Sequence, residues 1–154
     1  MTRTRLGRAV LFGMLAMSIP LLTACSGFMT GTSALQGEWV LASGTDAEGA
    51  FIEPVQPITL EFDGDAVSGQ APCNPYSGAV VRGPGTSGTG TIELGALTRS
   101  EMGCAEMEQN LLESRFFAAI EGVDRVSVSD DGERLELTGD DVFLQFTLSE
   151  KREG

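Results

Sequence analysis

The chain has 154 residues, with 22 acidic and 10 basic side chains, no histidine and a formal net charge of −12. This length suits a single domain, and the acidic charge argues against nucleic-acid binding, which needs a basic face. Histidine is the commonest general base and transition-metal ligand, so its absence removes Ser-His-Asp and Cys-His chemistry. We therefore predict a protein that is not an enzyme and has no cofactor.

Residues 1–24 have the three-part layout of an export signal. Three arginines form a basic head, an uncharged apolar run covers residues 9–22, and two small residues precede Cys25. The run is shorter than the about 20 residues of a membrane-spanning helix. The sequence Leu-Thr-Ala-Cys that ends at Cys25 has the lipobox pattern, in which a diacylglycerol is attached to the thiol. We predict a lipoprotein signal peptide and a lipid-anchored Cys25, against the alternatives of a plain signal or a single-pass anchor.

Removal of this signal leaves a chain with 22 acidic and 7 basic residues, a net charge of −15. Such a body is repelled by anionic lipid surfaces, so the membrane partner is predicted to be bound through the lipid on Cys25 alone. Residues 25–34 are rich in Gly, Ser and Thr and are predicted to form a flexible tether. We expect a monomer on the extracytoplasmic side of the cell membrane or the outer membrane.

Short alternating segments follow the tether and predict strands. Trp39 and Leu41 share one face of the first segment, and Asp63-Gly64-Asp65 predicts a hairpin turn. Residues 83–90, Gly-Pro-Gly-Thr-Ser-Gly-Thr-Gly, are predicted to be a loop. The strands predicted in this part of the chain cover residues 37–42, 58–62, 66–69, 76–82 and 91–94.

The period then changes to that of an amphipathic helix over residues 105–120. Leu112, Phe116 and Ile120 recur at every fourth position, and Gly122 is a plausible helix stop. Three more residues are predicted to widen the apolar stripe, namely Met107, Leu111 and Phe117. The polar side is assigned to Glu108, Gln109, Glu113 and Arg115.

Three further strands end the predicted domain, which covers residues 35–148 and is followed by a polar tail, 149–154. Val126 with Val128, and Leu135 with Leu137, mark the first two, and residues 143–148 the third. The order predicts an α+β fold: a small antiparallel β-barrel-like or sandwich domain of seven or eight short strands, with one helix before the last three. The helix could plug one end of a barrel or cover an open side.

Several segments resemble the META domain, the family of the HslJ-like heat-shock lipoproteins. Residues 35–41 resemble its opening L-x-G-x-W-x-L. Residues 58–62, the Gly at 69 and residues 73–78 match T-L-x-F, G and C-N-x-Y-x-G. Ser100-Glu101-Met102-Gly103-Cys104 resembles T-x-M-x-C, with Ser for Thr. Pro72 departs from the Gly that commonly precedes the Cys-Asn pair.

This resemblance covers residues 35–148. It implies a compact antiparallel β structure with one helix, an envelope location, and a non-enzymatic role linked to stress or antibiotic tolerance. It carries no agreed active site.

Cys73 and Cys104 are the two thiols left once Cys25 is lipidated. An even pair in an exported domain favours a disulfide. A redox-active pair is an alternative, although such pairs usually have Cys-x-x-Cys spacing. If the thiols pointed apart, both would be buried small apolar residues.

Asn74 and Tyr76 are the remaining candidate binding residues. Asn is typical of turns, where its side chain bonds to nearby backbone, so a structural turn is favoured over a ligand-binding edge. The paired carboxylates at 63/65, 130/131 and 140/141 lie in predicted turns, and none offers enough oxygens for a calcium site. We predict no metal site.

Three functions remain open from the sequence. The first is a non-enzymatic envelope lipoprotein that contributes to stress tolerance through an unidentified ligand. The second is an acidic inhibitor or decoy that binds a cationic protein or peptide, such as a lysozyme, with encounters accelerated by charge. The third is a carrier that holds a lipid or another small apolar ligand inside the barrel, which requires an apolar cavity.

Overall fold

The computed structural model describes residues 33–86 and 88–149. The predicted signal peptide, the predicted lipidation at Cys25 and residues 150–154 lie outside this part of the chain. Two helices are described, a 3-10 helix at Ser33–Leu35 and α1 at Met107–Glu121. The strands are β1 (Glu38–Asp46), β2 (Gly49–Ala50), β3 (Thr59–Asp63), β4 (Ala66–Gln70), β5 (Pro75–Thr86), β6 (Thr89–Leu94), β7 (Thr98–Arg99), β8 (Val123–Val128), β9 (Arg134–Gly139) and β10 (Val142–Leu148).

Eight of these strands form a closed antiparallel barrel. Their order around the barrel is β1, β3, β4, β5, β6, β8, β9, β10, and pairing of β10 with β1 closes it. The two short strands lie off this ring, with β2 paired to β1 and β7 to β5. The predicted α+β barrel with one helix before the last three strands is therefore confirmed.

Helix α1 lies across one end of the barrel. The segment that leads into α1 begins at Cys104, which forms a disulfide with Cys73 in the β4–β5 turn. The helix ends at Gly122. The Gly122 carbonyl lies so close to Gly139, the last residue of β9, that a Cβ on Gly139 would overlap the carbonyl oxygen. The strand register puts the β4–β5 and β9–β10 turns at the same barrel end, so α1 plugs that end. We call it the helix end.

The opposite end carries the 3-10 helix, just before β1. Leu35 is buried, and its carbonyl oxygen accepts a hydrogen bond of 2.9 Å from the indole N–H of Trp39. Ala34 lies beside Gly88 in the β5–β6 turn. The described chain therefore enters the barrel at the end opposite to α1.

Apolar side chains from all eight barrel strands fill the interior and form one core with α1. Trp39, Phe116, Phe146 and Leu144 have no exposed surface. The alternation of strand residues explains this, because every second side chain points inward. In the described segments, no helix has the length and apolarity needed to cross a membrane.

The prediction of a loop at residues 83–90 is wrong. Strand β5 continues to Thr86 and β6 starts at Thr89, with a bulge between Arg82 and Gly85. The glycines weaken the local preference for a strand, but β6 also pairs with β8 along Thr89–Thr91. The pairing of β6 with β5 on one side and with the distant β8 on the other thus outweighs the glycine-rich composition.

The predicted width of the helix stripe is also wrong. Phe117 is buried as expected, but Met107 and Leu111 are 85% and 63% exposed. Gln109, assigned to the polar side, is 6% exposed. At 3.6 residues per turn, Met107 and Leu111 lie on the side of the helix opposite Gln109 and Phe116. A helix that covers a barrel end has room for only one such face.

Candidate functional site

Asn74 is a buried polar side chain in the turn between β4 and β5, with 2% of its surface exposed. Its Nδ2 donates to the Met102 carbonyl at 2.8 Å and to Oε1 of Glu113 at 2.5 Å. Its Oδ1 accepts from the Ser100 hydroxyl at 2.7 Å and from the Met102 amide at 2.9 Å. Both donors and both acceptor positions are thus occupied within the protein.

Glu113 binds the same turn from helix α1. Its Oε2 accepts hydrogen bonds from the backbone amides of Cys73 at 2.8 Å and of Asn74 at 3.0 Å. A carboxylate can accept several such bonds at once, and bonds to a charged acceptor are stronger than neutral ones. Glu113 therefore joins the helix to the β4–β5 turn.

The predicted disulfide between Cys73 and Cys104 is confirmed, with their Cα atoms 5.4 Å apart. It connects this turn to the segment that leads into α1. The sulfurs and the Glu113 carboxylate lie within 4.8 Å of one another, but metal binding by cysteine uses the thiolate. In the disulfide form, the group is a covalent link beside a carboxylate.

Tyr76 points into the core at the start of β5. Its hydroxyl donates to the Thr59 carbonyl at 2.8 Å, and its ring meets those of Phe116 and Phe117 edge-on at 5.7 and 5.6 Å. Burial raises the pKa of the Tyr76 phenol far above its usual value. Tyr76 therefore packs strand β5 against helix α1.

A second polar link holds the other side of the helix. The Arg115 guanidinium forms a bidentate ion pair with the Asp46 carboxylate, with hydrogen bonds of 2.5 and 2.9 Å. It also donates to the Gly49 carbonyl at 2.7 Å. It packs over the Phe51 ring at 4.9 Å. The hydrogen bond from Arg115 lowers the pKa of Asp46, despite partial desolvation. The β1–β2 turn is thereby tied to α1.

Acidic residues are concentrated at the helix end. Half of the acidic residues in the described ranges lie in segments at this end. These segments are α1, the residues just before it, the β1–β2 turn, the loop after β2 and the β9–β10 turn. Their acidic residues are Asp46, Glu48, Glu53, Glu101, Glu106, Glu108, Glu113, Glu121, Asp140 and Asp141. In these same segments Arg115 supplies the one positive side chain, and it is paired with Asp46. Arg99 in β7 also lies at this end, with its guanidinium 4.2 Å from the centre of the Phe117 ring.

Exposed apolar residues lie at the same end. Met107 and Leu111 face solvent on α1, and Met102, whose backbone is bonded to Asn74, is 61% exposed. Val55 is 69% exposed, and its amide donates to Oε1 of Gln109 at 3.1 Å. An outer groove of about 620 Å³ runs beside Val55, between β1 and residues 50–57, and its walls include Leu41, Phe51, Ile52, Pro54 and Pro57.

The structure brings most of the predicted site residues together. Cys73, Cys104 and Asn74 form one cluster, and Tyr76 lies two residues further on. Binding roles for Asn74 and Tyr76 remain predictions. The side-chain amide of Asn74 and the hydroxyl of Tyr76 form hydrogen bonds inside the fold. Sequence reasoning assigned Glu113 to the polar side of the helix and did not identify it as part of this cluster. Its position one turn after Gln109 became informative only when the structure showed that Gln109 is buried.

Comparison with known proteins gives one family and two related structures. The META domain profile matches residues 32–151. An NMR structure of a protein from Burkholderia xenovorans is similar at 26% identity, with a TM-score of 0.64, over 79% of this chain and 88% of that one. Another protein solved by NMR, 21% identical, has the same fold with a TM-score of 0.52, over 77% and 94% of the two chains. No curated protein matches the sequence.

Proposed function

Because this chain belongs to the META domain family, we propose that it is a non-enzymatic lipoprotein of the cell envelope, which supports stress tolerance by binding a ligand at its helix end. Lipid on Cys25 would hold the chain at the membrane. Residues 33 and 34, predicted to be the end of the tether, belong to the 3-10 helix. The tether would therefore be residues 25–32, which span about 16 Å as a flexible coil.

The observation that carries the proposal is the position of the two barrel ends. The described chain begins at the 3-10 helix, and α1 covers the opposite end. An anchor that precedes residue 33 would therefore be attached at the barrel end opposite to α1, and the helix end would be the part of the domain furthest from the attachment point. The acidic residues at the helix end favour an orientation in which this end faces away from the membrane, since they are repelled by anionic lipids.

Labelling with palmitate tests the anchor. We expect the full chain to incorporate the label and to fractionate with membranes, and a Cys25→Ala variant to lose both properties. The matched control is Cys73→Ala/Cys104→Ala, which removes the other two cysteines and keeps the label. Label that persists in Cys25→Ala would contradict the proposal.

A deletion strain tests the role in stress tolerance. We expect increased sensitivity to agents that damage the envelope, restored by the full chain and not by Cys25→Ala. Equal rescue by both forms, with equal protein levels, would show that the anchor is dispensable. A deletion strain that matches its parent under each agent would contradict the role in tolerance.

A second function, capture of a cationic partner, is favoured by the acidic residues gathered at the helix end. A surface of one charge sign increases the encounter rate of an oppositely charged partner, and salt reduces the effect. The lipid-carrier alternative has less support, because side chains fill the described barrel interior. Salt-sensitive retention of basic proteins on the immobilised chain, absent for acidic proteins of equal size, is the expected result.

A further inference from the structure

The solvent side of α1 carries an apolar ridge. We use this name for Met107 and Leu111, one turn apart, and for Ala118, two turns further on. All three are exposed and lie on one side of the helix at 3.6 residues per turn, with the exposed Ser114 between Leu111 and Ala118. Large exposed apolar residues that are neighbours, as Met107 and Leu111 are, mark interaction sites more often than isolated ones do. Met107 also has a flexible thioether side chain, which adapts to different partners.

Acidic side chains border this ridge. Glu106 and Glu108 flank Met107, Glu121 ends the helix, and Glu101 precedes the exposed Met102. All four are exposed. The single basic residue of the helix, Arg115, is bound to Asp46 and Gly49, so its charge is already paired. The ridge is thus an apolar strip in negative surroundings.

We propose that the ridge is a docking site for a cationic amphipathic peptide segment, with apolar side chains against Met107 and Leu111 and Lys or Arg side chains beside Glu106 and Glu108. This rests on the proposed function, in which the helix end faces away from the membrane. Charge selects this occupant. A second copy of the chain would bring like charges together, and an anionic lipid surface is repelled.

The helix backbone that carries the ridge is held in place before binding. Three contacts hold α1 and the segment before it, namely the Cys73–Cys104 disulfide, the Glu113 bonds to the β4–β5 turn and the Arg115–Asp46 pair. A surface that is already ordered loses little conformational entropy when a partner binds. Flexible peptides that become ordered on the ridge would account for most of the entropic cost.

The probe is a synthetic peptide of Leu and Lys at helical spacing, about four turns long. A scrambled peptide of the same composition, without an apolar face, is the control. The full lipidated chain is placed in nanodiscs of phosphatidylcholine, empty nanodiscs give the background, and affinity is measured by fluorescence anisotropy at low and high salt.

We expect Met107→Gln/Leu111→Gln to weaken binding of the amphipathic peptide by about ten-fold or more, as loss of apolar burial predicts. The matched control is Val81→Gln, because Val81 is 62% exposed on the barrel wall, much like Leu111 at 63%. Val81→Gln should bind as the original chain does. Both variants should keep the original unfolding temperature, since the changed side chains face solvent.

The charge contribution has its own pair of variants. Glu106→Gln/Glu108→Gln should weaken binding and reduce its salt dependence. Glu61→Gln/Glu93→Gln removes the same charge from exposed positions on the barrel wall and should have a smaller effect on both.

Three results would overturn the inference. The first is equal affinity of the Met107→Gln/Leu111→Gln and Val81→Gln variants, and the second is equal binding of the scrambled peptide. The third is an original chain that does not bind the peptide but self-associates, with the self-association abolished by Leu111→Gln. A second copy of the chain would then occupy the ridge. None of these results alters palmitate labelling or rescue of the deletion strain, so the inference and the proposed function fail separately.

Discussion

Asn74 and Glu113, 39 residues apart in the chain, are joined by a hydrogen bond of 2.5 Å between Nδ2 and Oε1. Glu113 completes the set of partners of a side chain that is almost fully buried, and it does so from the helix that plugs the barrel. The stability of the β4–β5 turn and the position of α1 therefore depend on each other.

Replacement of Glu113 by Gln tests this dependence. Glu113 accepts three hydrogen bonds through its two oxygens. A Gln side chain must place its NH₂ group against at least one of those donors. We expect the free energy of unfolding in urea to fall by about 2 kcal/mol. Glu108→Gln, an exposed change on the same helix, is the control and should alter stability by less than about 0.5 kcal/mol. Similar values for the two variants would contradict the structural role of Glu113.

Removal of the disulfide tests the second link to the helix. The bond closes a loop with a sequence separation of 31 residues. In the chain-entropy account, Cys73→Ala/Cys104→Ala should lower the free energy of unfolding by about 3.5 kcal/mol. Dithiothreitol should destabilise the original chain similarly and leave the double variant unchanged. If dithiothreitol destabilised both proteins equally, its effect would not come from reduction of the Cys73–Cys104 disulfide.

The titration of Tyr76 gives a prediction about pH. It is the only tyrosine of the chain, so phenolate absorbance near 295 nm reports this residue alone. Its pKa is raised by burial, whereas the unfolded value is about 10. The raised folded pKa contributes stability that is complete below pH 10 and is lost progressively as the pH rises above it.

We therefore expect phenolate absorbance to appear in alkali together with unfolding, as followed by circular dichroism. The fully unfolded chain in urea, the control, should titrate near pH 10. A folded chain that gave phenolate near pH 10, with unchanged circular dichroism, would place Tyr76 at the surface.

Any side chain at Gly69 is predicted to destabilise the fold for steric reasons. It lies opposite Tyr76 in the β4–β5 pair, and a Cβ there would overlap the Thr59 carbonyl and lie 2.7 Å from the Tyr76 hydroxyl. Gly69→Ala should displace the hydrogen bond between them and cost about 2 kcal/mol or more. Gly103→Ala is the matched control, because a Cβ there has no neighbour within 4 Å. Thermal unfolding of both variants measures the difference, and equal unfolding temperatures would contradict the close approach at Gly69.

Local pattern was sufficient for much of the fold. Alternation placed Trp39, Leu135 and Leu137 on inner faces, and the four-residue recurrence of Leu112, Phe116 and Ile120 located the helix. Such patterns report which face of an element is buried. They hold here because each of these elements contacts the single core directly.

The errors arose where distant parts of the chain decide the structure. Gly83 and Gly85 lie in a strand because β6 is paired on both sides, which no local preference indicates. The role of Glu113 depends on a turn 39 residues away. Met107 and Leu111 are apolar, so composition alone assigned them to the core, although their helical positions put them opposite Phe116.

The pairing of β1 with β10 has a consequence for the order of assembly. Trp39 in the first strand faces Leu148 in the last, so the barrel is an open sheet until its final strand is available. Contacts so far apart in sequence form late, because a long loop must close first. A chain that emerges with its N terminus first therefore waits, with an unpaired sheet edge, for almost its entire length to follow.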